Sequence, residues 1–101
     1  MATVCNSYYS KIGEVDSSGK VYNASSSRIG EVEAGGAVRN AANAKVGVVE
    51  PDGTIRDSAY TWVGSVNSAG TVYNSCYDKV GKVSGGTVYQ RGGAALLLLP
   101  L

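Results

Sequence analysis

The sequence predicts an all-β fold of six hairpin repeats, each about 17 residues long, arranged in a closed pseudo-symmetric ring. Three observations support this prediction: a dipeptide recurs at a fixed spacing, short β-branched segments flank it, and the intervening turns end in Gly. The dipeptide recurs every 17 residues, at Ile12-Gly13, Ile29-Gly30, Val46-Gly47, Val63-Gly64 and Val80-Gly81. A fixed period indicates a repeat architecture in which each copy is one supersecondary unit.

A second motif opens each unit and falls on the same grid. It reads Thr71-Val72-Tyr73-Asn74 in one unit, and the units begin at residues 3, 20, 37, 54, 71 and 87, with one residue deleted before the last. Short β-branched and aromatic runs are typical of strands. We therefore expect this motif to form the first strand of each hairpin and Ile/Val-Gly-x-Val to form the second, in one repeat domain over residues 1–101.

The turns between units end in Gly19, Gly36, Gly53, Gly70 and, in the shortened turn, Gly86. This pattern is typical of a type I turn closed by a residue in the left-handed region, where Gly avoids a Cβ clash. Within a unit, a polar connector joins the two strands. The Gly of each Ile/Val-Gly dipeptide is expected to mark a bulge or a place where another backbone or a Tyr ring approaches closely.

The two ends of the chain suggest how the ring closes. Leu96–Leu99 falls where other units carry Ile/Val-Gly-x-Val, and Thr3–Asn6 lacks a preceding strand. We expect these two segments to pair, because pairing would leave no exposed apolar edge. A two-sided β-solenoid is the alternative fold, although the Gly-terminated turns argue against it.

The C-terminal leucines have two interpretations. In the first, they fill the seam or the central channel of the ring. In the second, outward-facing leucines form a subunit contact, since exposed apolar patches mark interfaces. The candidate interface residues are Leu96, Leu97, Leu98 and Leu99.

Short hairpins with Val-Tyr-Asn strands, Ile/Val-Gly-x-Val strands and Gly-terminated turns resemble the β-flower proteins. These are small bacterial domains whose hairpins radiate as petals around a pseudo-symmetry axis. The resemblance covers nearly the whole chain. It implies a flower-like or mini-propeller-like ring of unknown function, and it supplies no catalytic residues.

Composition argues against an enzyme. The chain has no His and two Cys, so Cys5 and Cys76 have no His to activate them and cannot form a four-ligand zinc site. The carboxylates lie mostly in exposed turns rather than in close pairs. We predict no enzyme, no cofactor and no metal, and we expect the two thiols to be free.

Charge and hydropathy limit the partners and the location. A net charge of +1 gives no reason to expect nucleic acid as a partner. The longest apolar run, Ala94–Leu101, is far shorter than the ~20 residues of a membrane helix. The first residues show no signal peptide. We expect no membrane span and a cytoplasmic location, or an extracellular one if the chain is a trimmed mature form.

Two sets of residues near the connectors are candidates for binding. Four cations share one position of the repeat and could capture a small anion or simply form a solvated rim; they are Lys11, Arg28, Lys45 and Lys79. Aromatic residues in or beside the connectors could stack on a carbohydrate or a peptide, or serve only in packing; they are Tyr9, Tyr60, Trp62 and Tyr77.

The sequence therefore predicts a non-catalytic structural or protein-interaction module that can self-associate. The alternative is a carbohydrate- or small-anion-binding module that uses the connector end of the ring. The expected partners are accordingly a second copy of the chain or another protein, or else a carbohydrate or a small anion.

Overall fold

Ten short β-branched segments form ten strands, and these strands close into one antiparallel barrel around a helix. The computed structural model describes residues 2–99 and residue 101. The strands are β1 (Ala2–Asn6), β2 (Lys11–Val15), β3 (Lys20–Asn23), β4 (Arg28–Val32), β5 (Ala37–Asn40), β6 (Lys45–Val49), β7 (Thr54–Asp57), β8 (Trp62–Val66), β9 (Thr71–Asn74) and β10 (Lys79–Ser84), and the helix is α1 (Val88–Leu98). The Cα atoms span 29 × 29 × 19 Å, the dimensions of a thick disc.

The barrel closes between its first and last strands. Consecutive strands pair along the chain, and β1 pairs with β10 in the register Thr3 with Ser84 and Val4 with Val83. The prediction of a closed ring is therefore confirmed, and the β-solenoid alternative is wrong. The predicted pairing of Leu96–Leu99 with Thr3–Asn6 is also wrong, because β10 occupies that edge and Leu96–Leu98 belong to α1.

The predicted sixth hairpin is replaced by the helix, so the described residues form five hairpins rather than six. The reason lies in the sixth copy of the first-strand motif. Thr87 caps α1: the backbone N–H of Gln90 donates to Thr87 Oγ1 and the backbone N–H of Thr87 donates to Gln90 Oε1, both at 3.1 Å. This reciprocal capping box starts a helix. Ala94, Ala95 and the leucines that follow then favour the helical state.

The same turn joins strands at both ends of the barrel. We call the end formed by residues 16–19, 33–36, 50–53, 67–70 and 84–86 the turn rim, and the end formed by residues 7–10, 24–27, 41–44, 58–61 and 75–78 the connector rim. On the turn rim, the N–H of Gly19 donates to Asp16 O at 3.1 Å, and on the connector rim the N–H of Tyr9 donates to Asn6 O at 3.0 Å. Gly19 has a φ of 93°, so the predicted left-handed glycine turn is confirmed.

A β-bulge recurs in all five hairpins. The pairing register skips the apolar residue of each Ile/Val-Gly dipeptide, so that Val4 faces Gly13 and Cys5 faces Lys11. The skipped residues are Ile12, Ile29, Val46, Val63 and Val80. All five pack against the buried core. The predicted bulge is thus confirmed.

The glycine that follows each bulge makes room for one leucine. A Cβ added at Gly13 would lie 2.6 Å from Leu98 Cδ1, which is closer than real Cβ atoms come. One leucine lies beside each of these glycines around the barrel, at 2.5–3.1 Å from the added Cβ: Gly13 faces Leu98, Gly30 faces Leu97, Gly47 faces Leu96, Gly64 faces Leu101 and Gly81 faces Leu99. The close approach is therefore made by leucines and neighbouring backbone rather than by a Tyr ring. It supports the first interpretation of the leucines, in which they fill the central channel.

The helix itself is narrow where it passes the middle of the barrel. A Cβ added at Gly92 would come within 2.6 Å of Val49 Cγ1, and one at Gly93 would overlap Val32. Gly92, Gly93, Ala94 and Ala95 are all buried. Small residues therefore let α1 fit between the inward-facing valines, which are the main buried side chains. No helix among the described residues is long and apolar enough to span a bilayer.

Candidate functional site

The connector rim holds five non-glycine residues in the left-handed region. In the first connector, Asn6 Oδ1 accepts hydrogen bonds from the N–H of Tyr8 (2.9 Å) and the N–H of Ser10 (3.1 Å), and Asn23, Asn40, Asp57 and Asn74 do the same in the other connectors. The third connector residue takes a φ of 64–68° in each case: Tyr9, Ser26, Asn43, Tyr60 and Tyr77. A left-handed residue with a Cβ costs about 1–2 kcal/mol.

The tyrosines at these strained positions are exposed. The exposed fractions are 66% for Tyr9, 59% for Tyr60 and 71% for Tyr77, and neighbouring Tyr8 reaches 86%. Buried packing therefore does not explain them, in contrast to the half-buried Tyr73 of β9. Sequence reasoning left open whether these rings pack or form a platform, and their exposure favours the platform.

Each of the three left-handed tyrosines contacts the hairpin that precedes it around the ring. Lys45 Nζ lies 3.3 Å from the Tyr60 hydroxyl and 5.4 Å from the ring centroid. Lys79 Nζ lies 2.8 Å from the Tyr9 hydroxyl and 4.7 Å from its ring centroid, across the junction where the barrel closes. At the junction of β8 with β9, Tyr77 packs against Trp62.

The Trp62 and Tyr77 rings have centroids 5.4 Å apart, with the planes inclined at 54°. We call Tyr8, Tyr9, Tyr60, Trp62 and Tyr77 the aromatic arc. It crosses three adjacent junctions: β6 with β7, β8 with β9, and β10 with β1. The structure thus places all four aromatic residues that the sequence singled out on the connector rim, in three separate contacts: Tyr9 with Lys79, Tyr60 with Lys45, and Tyr77 with Trp62.

The other two predicted cations take different partners. Lys11 Nζ lies 3.9 Å from Glu14 Oε1, and Arg28 Nη2 lies 3.0 Å from Glu31 Oε1. The hairpins that follow them carry Ser26 and Asn43 in the left-handed position, so no tyrosine is available to them. The four cations accordingly divide into two carboxylate pairs and two tyrosine pairs, and do not converge on one anion site.

The contact between Lys79 and Tyr9 has an electrostatic consequence. The hydrogen bond and the positive charge of Lys79 lower the pKa of the Tyr9 hydroxyl below its usual value, because both favour the tyrosinate. Tyr9 is largely exposed, so solvent screens the effect.

A shallow groove of about 400 Å³ opens beside Trp62 and Tyr77. Arg56 also lines it, and this residue was not among the predicted site residues. Arg56 Nε lies 3.1 Å from Glu50 Oε1, and its Nη1 donates to Tyr60 O at 3.2 Å. The sequence did carry a signal, because Arg56 replaces the Tyr found at the third motif position in other units.

The predicted interface leucines lie inside the barrel toward its connector end. Leu96, Leu97, Leu98 and Leu99 face glycines that pair with the residues opening the connectors, as Leu99 faces Gly81 and Gly81 pairs with Asn6, and Leu99 is only 6% exposed. The subunit contact stays a prediction. Cys5 is half-buried in β1 and Cys76 is exposed in the last connector, and both are free thiols.

Among residues 2–99 and 101, no group of three His, Cys, Asp or Glu residues lies close enough to hold a metal ion.

Comparison with known proteins agrees with this architecture. A profile described as "5-fold beta-flower protein" matches residues 1–98. Searches of curated proteins and of solved structures gave no significant match. The description names a five-fold arrangement, in agreement with five hairpins, and it confirms the β-flower resemblance. It names no activity.

Proposed function

The chain belongs to the 5-fold beta-flower family, and we propose that it is a non-catalytic protein-interaction module that binds its partner through the aromatic arc. One observation carries the proposal. Tyr9, Tyr60 and Tyr77 are exposed at positions where glycine would relieve the backbone, as glycine does at Gly19, Gly36, Gly53 and Gly70 on the turn rim. Strained backbone that is retained in spite of its cost is a feature of functional sites.

The composition of the connector rim supports a protein partner. Tyr, Ser and Ala make up most of the connectors, and Asp78 is their one charged residue. Tyrosine supplies a large contact area with few rotatable bonds, and small residues around it allow close approach. A rim with little charge is also cheaper to desolvate than a charged one.

Three tyrosines of the aromatic arc are held by a neighbouring hairpin before a partner arrives. Lys45, Lys79 and Trp62 each hold one tyrosine of the next hairpin in place. Less side-chain entropy is then lost on binding, which raises affinity without adding any contact.

The proposal includes no catalytic step. The chain contains no His, which is the commonest general base. Apart from Tyr9, the groups with lowered pKa values are Asp16 and Asp52 in the turns. A hydrogen bond from the Ser18 hydroxyl is the main cause of the lowered pKa at Asp16, and one from the N–H of Thr54 at Asp52. These are local turn interactions rather than a buried acid–base pair.

A random peptide library panned against the protein tests the proposal. The selected peptides should bind saturably and perturb the amide signals of the aromatic arc in NMR spectra. The triple variant Tyr9→Gly/Tyr60→Gly/Tyr77→Gly should lose this binding while staying folded, because glycine suits the positions.

The matched control is Ser26→Gly/Asn43→Gly, which changes the same backbone positions and leaves the tyrosines in place. It should bind the selected peptides as the unmodified protein does. The proposal fails if panning enriches no peptide, or if the triple variant binds as well as the control.

The groove beside Trp62 and Tyr77 favours a second candidate function, carbohydrate binding. Two aromatic rings with Arg56, Thr54 and Ser65 combine stacking surfaces with hydrogen-bonding groups. A glycan array and Trp62 fluorescence titrations would test it. A glycan that quenches or shifts Trp62 emission saturably, and that Trp62→Leu no longer binds, would favour this function over peptide binding. Flat responses on the array and in the titrations would exclude it.

A further inference from the structure

A second concave site lies on the turn rim, at the opposite end of the barrel from the aromatic arc. It is a cavity of about 240 Å³ between the turn at residues 67–70, the end of β10 and the first turn of α1. Lys82 and Arg91 line it together with the hydroxyl-bearing Ser68 and Ser84. Two cations and two hydroxyl groups therefore face one small space.

The two cations at this cavity lack carboxylate partners. Neither Lys82 nor Arg91 takes part in an ion pair among the described residues. Arg91 Nη1 donates to Gly86 O at 2.9 Å, but its Nε is buried without any acceptor in the described structure. A buried donor without an acceptor is costly. Because Nε is closed to solvent, Arg91 reaches a ligand in the cavity through its terminal nitrogens.

The position of Arg91 is also unfavourable for the helix alone. It lies in the first turn of α1, where the helix dipole disfavours a positive charge, and that turn has no acidic residue to offset it. An anion bound beside Arg91 would reverse this disadvantage.

The repeat itself shows how this region differs from the rest of the barrel. The first three turns carry the carboxylates Asp16, Glu33, Glu50 and Asp52, whereas the turns at residues 67–70 and 84–86 carry none. Lys82 occupies the repeat position that holds Glu14 and Glu31 in the first two hairpins. The region around the cavity is thus positively charged, whereas at the same repeat position in the first two hairpins Glu14 and Glu31 form ion pairs.

We propose that this cavity binds a phosphate group. The guanidinium of Arg91 offers donors in a fork that matches two oxygens of a phosphate, and Lys82 adds a point charge. Ser68 and Ser84 provide hydroxyl donors to the remaining oxygens. Two cations favour a divalent oxyanion over chloride, because the attraction scales with the charge of the ligand. The site is independent of the proposed function of the connector rim.

An NMR titration with inorganic phosphate, referenced to sodium chloride at equal ionic strength, tests the proposal. Saturable shifts are expected at the amides of residues 67–70 and 84–86. Arg91→Gln should weaken phosphate binding by at least about tenfold, and Lys82→Gln by a smaller factor, since both remove a charged donor. Lys20→Gln removes an exposed cation far along the chain from the cavity and should leave binding unchanged.

Circular dichroism of each variant shows whether it is folded, and Lys82→Gln keeps the test informative if Arg91→Gln unfolds. Shifts that do not saturate, or that Lys20→Gln reduces as much as Lys82→Gln does, would overturn the proposal. A parallel titration with ribose 5-phosphate identifies the source of the group. Tighter binding of the ester would support a phosphorylated small molecule, and equal or tighter binding of inorganic phosphate would support the free ion.

Discussion

The two rims of the barrel share the same backbone hydrogen bond in their turns and differ at the left-handed position, both in the residue and in its φ, which is 87–98° at Gly19, Gly36, Gly53 and Gly70 and 64–68° in the connectors. The turn rim has Gly at each such position, and the connector rim has Tyr, Ser or Asn. The backbone hydrogen bond that closes the turn is the same on both rims, since the N–H of Gly19 donates to Asp16 O and the N–H of Tyr9 donates to Asn6 O. A side chain also accepts two backbone N–H bonds in every connector and, on the turn rim, at Asp16 and Asn67. The backbone therefore does not require the substitution. The residues of the turn rim therefore favour stability of the fold, whereas the connector rim gives up some stability to present side chains.

The largest expected effect is a loss of stability when the C-terminal leucines, which pack inside the barrel between the two rims, are removed. Removing residues 96–101 deletes the leucines that fill the glycine sites of the barrel, and we expect the chain to lose its cooperative fold. A fully buried leucine contributes about 2–5 kcal/mol, and a small domain has only about 5–15 kcal/mol in total. Leu99 is buried and the other leucines are half-buried, so their combined loss is comparable to the stability of the domain. Thermal unfolding followed by circular dichroism would measure this. A truncated chain that still unfolds cooperatively would show that the leucines are not needed for the fold. In that case, a mass in light scattering equal to that of the full chain would argue against a subunit contact through the leucines.

The next effect tests the turn rim directly. Gly53→Ala should lower the free energy of unfolding by about 2–4 kcal/mol, because Gly53 has a φ of 95° and an added Cβ would overlap Val66 O. Chemical denaturation gives the value. Gly35→Ala is the matched control on the same rim, since a Cβ there meets nothing within 4 Å. A loss at Gly35 equal to that at Gly53 would contradict the explanation.

A smaller effect of opposite sign is expected on the connector rim. Ser26→Gly should raise the free energy of unfolding by about 0.5–1 kcal/mol, as relief of the left-handed strain exceeds the added flexibility of the unfolded chain. Tyr60→Gly should gain less, because it also loses the contact with Lys45. Denaturation of both variants measures the difference. If Ser26→Gly were destabilising, the left-handed position of the connector would not carry the strain that we assign to it.

The smallest effect is a shift in titration. Lys79→Gln should raise the pKa of Tyr9 toward its usual value, since Lys79 is the main cause of its lowering. The pKa of Tyr9 is lower in the folded protein than in the unfolded chain, so the folded state is stabilised once Tyr9 is ionised. This added stability is present at high pH and is lost as the pH falls through the pKa of folded Tyr9. The NMR signals of the Tyr9 ring report the titration, with Lys45→Gln as a control that should leave Tyr9 unchanged.

Much of the barrel could be predicted because its determinants are local and repeated. The strand motifs and the glycine turns recur on a fixed grid, and each copy reinforces the prediction from the others. The sixth unit shows the limit of this reasoning. Thr87 and Val88 match the strand motif, but Gln90 replaces Asn at its end and completes a helix cap with Thr87. A periodic pattern cannot reveal the copy in which a local hydrogen bond reverses the outcome.

The candidate site was predicted as a set of residue types rather than as an arrangement. The sequence indicated four equivalent cations, yet whether each pairs with a carboxylate or a tyrosine depends on the residue in the next hairpin. For Lys79 that residue is Tyr9, 70 positions away and brought near only by closure of the barrel. The role of the leucines was equally hidden, because it depends on glycines spread over all five hairpins.

The fit between leucines and glycines has a consequence for uniqueness. A barrel of five similar hairpins offers an inserted helix five nearly equivalent orientations about the barrel axis. The short link from Ser84 to Thr87 starts the helix beside the last hairpin, and this tether places Gly92 and Gly93 against Val49 and Val32 rather than against the equivalent valines of other hairpins. The single helix thus selects one of these orientations, and each of the five similar hairpins then packs against a different part of the helix.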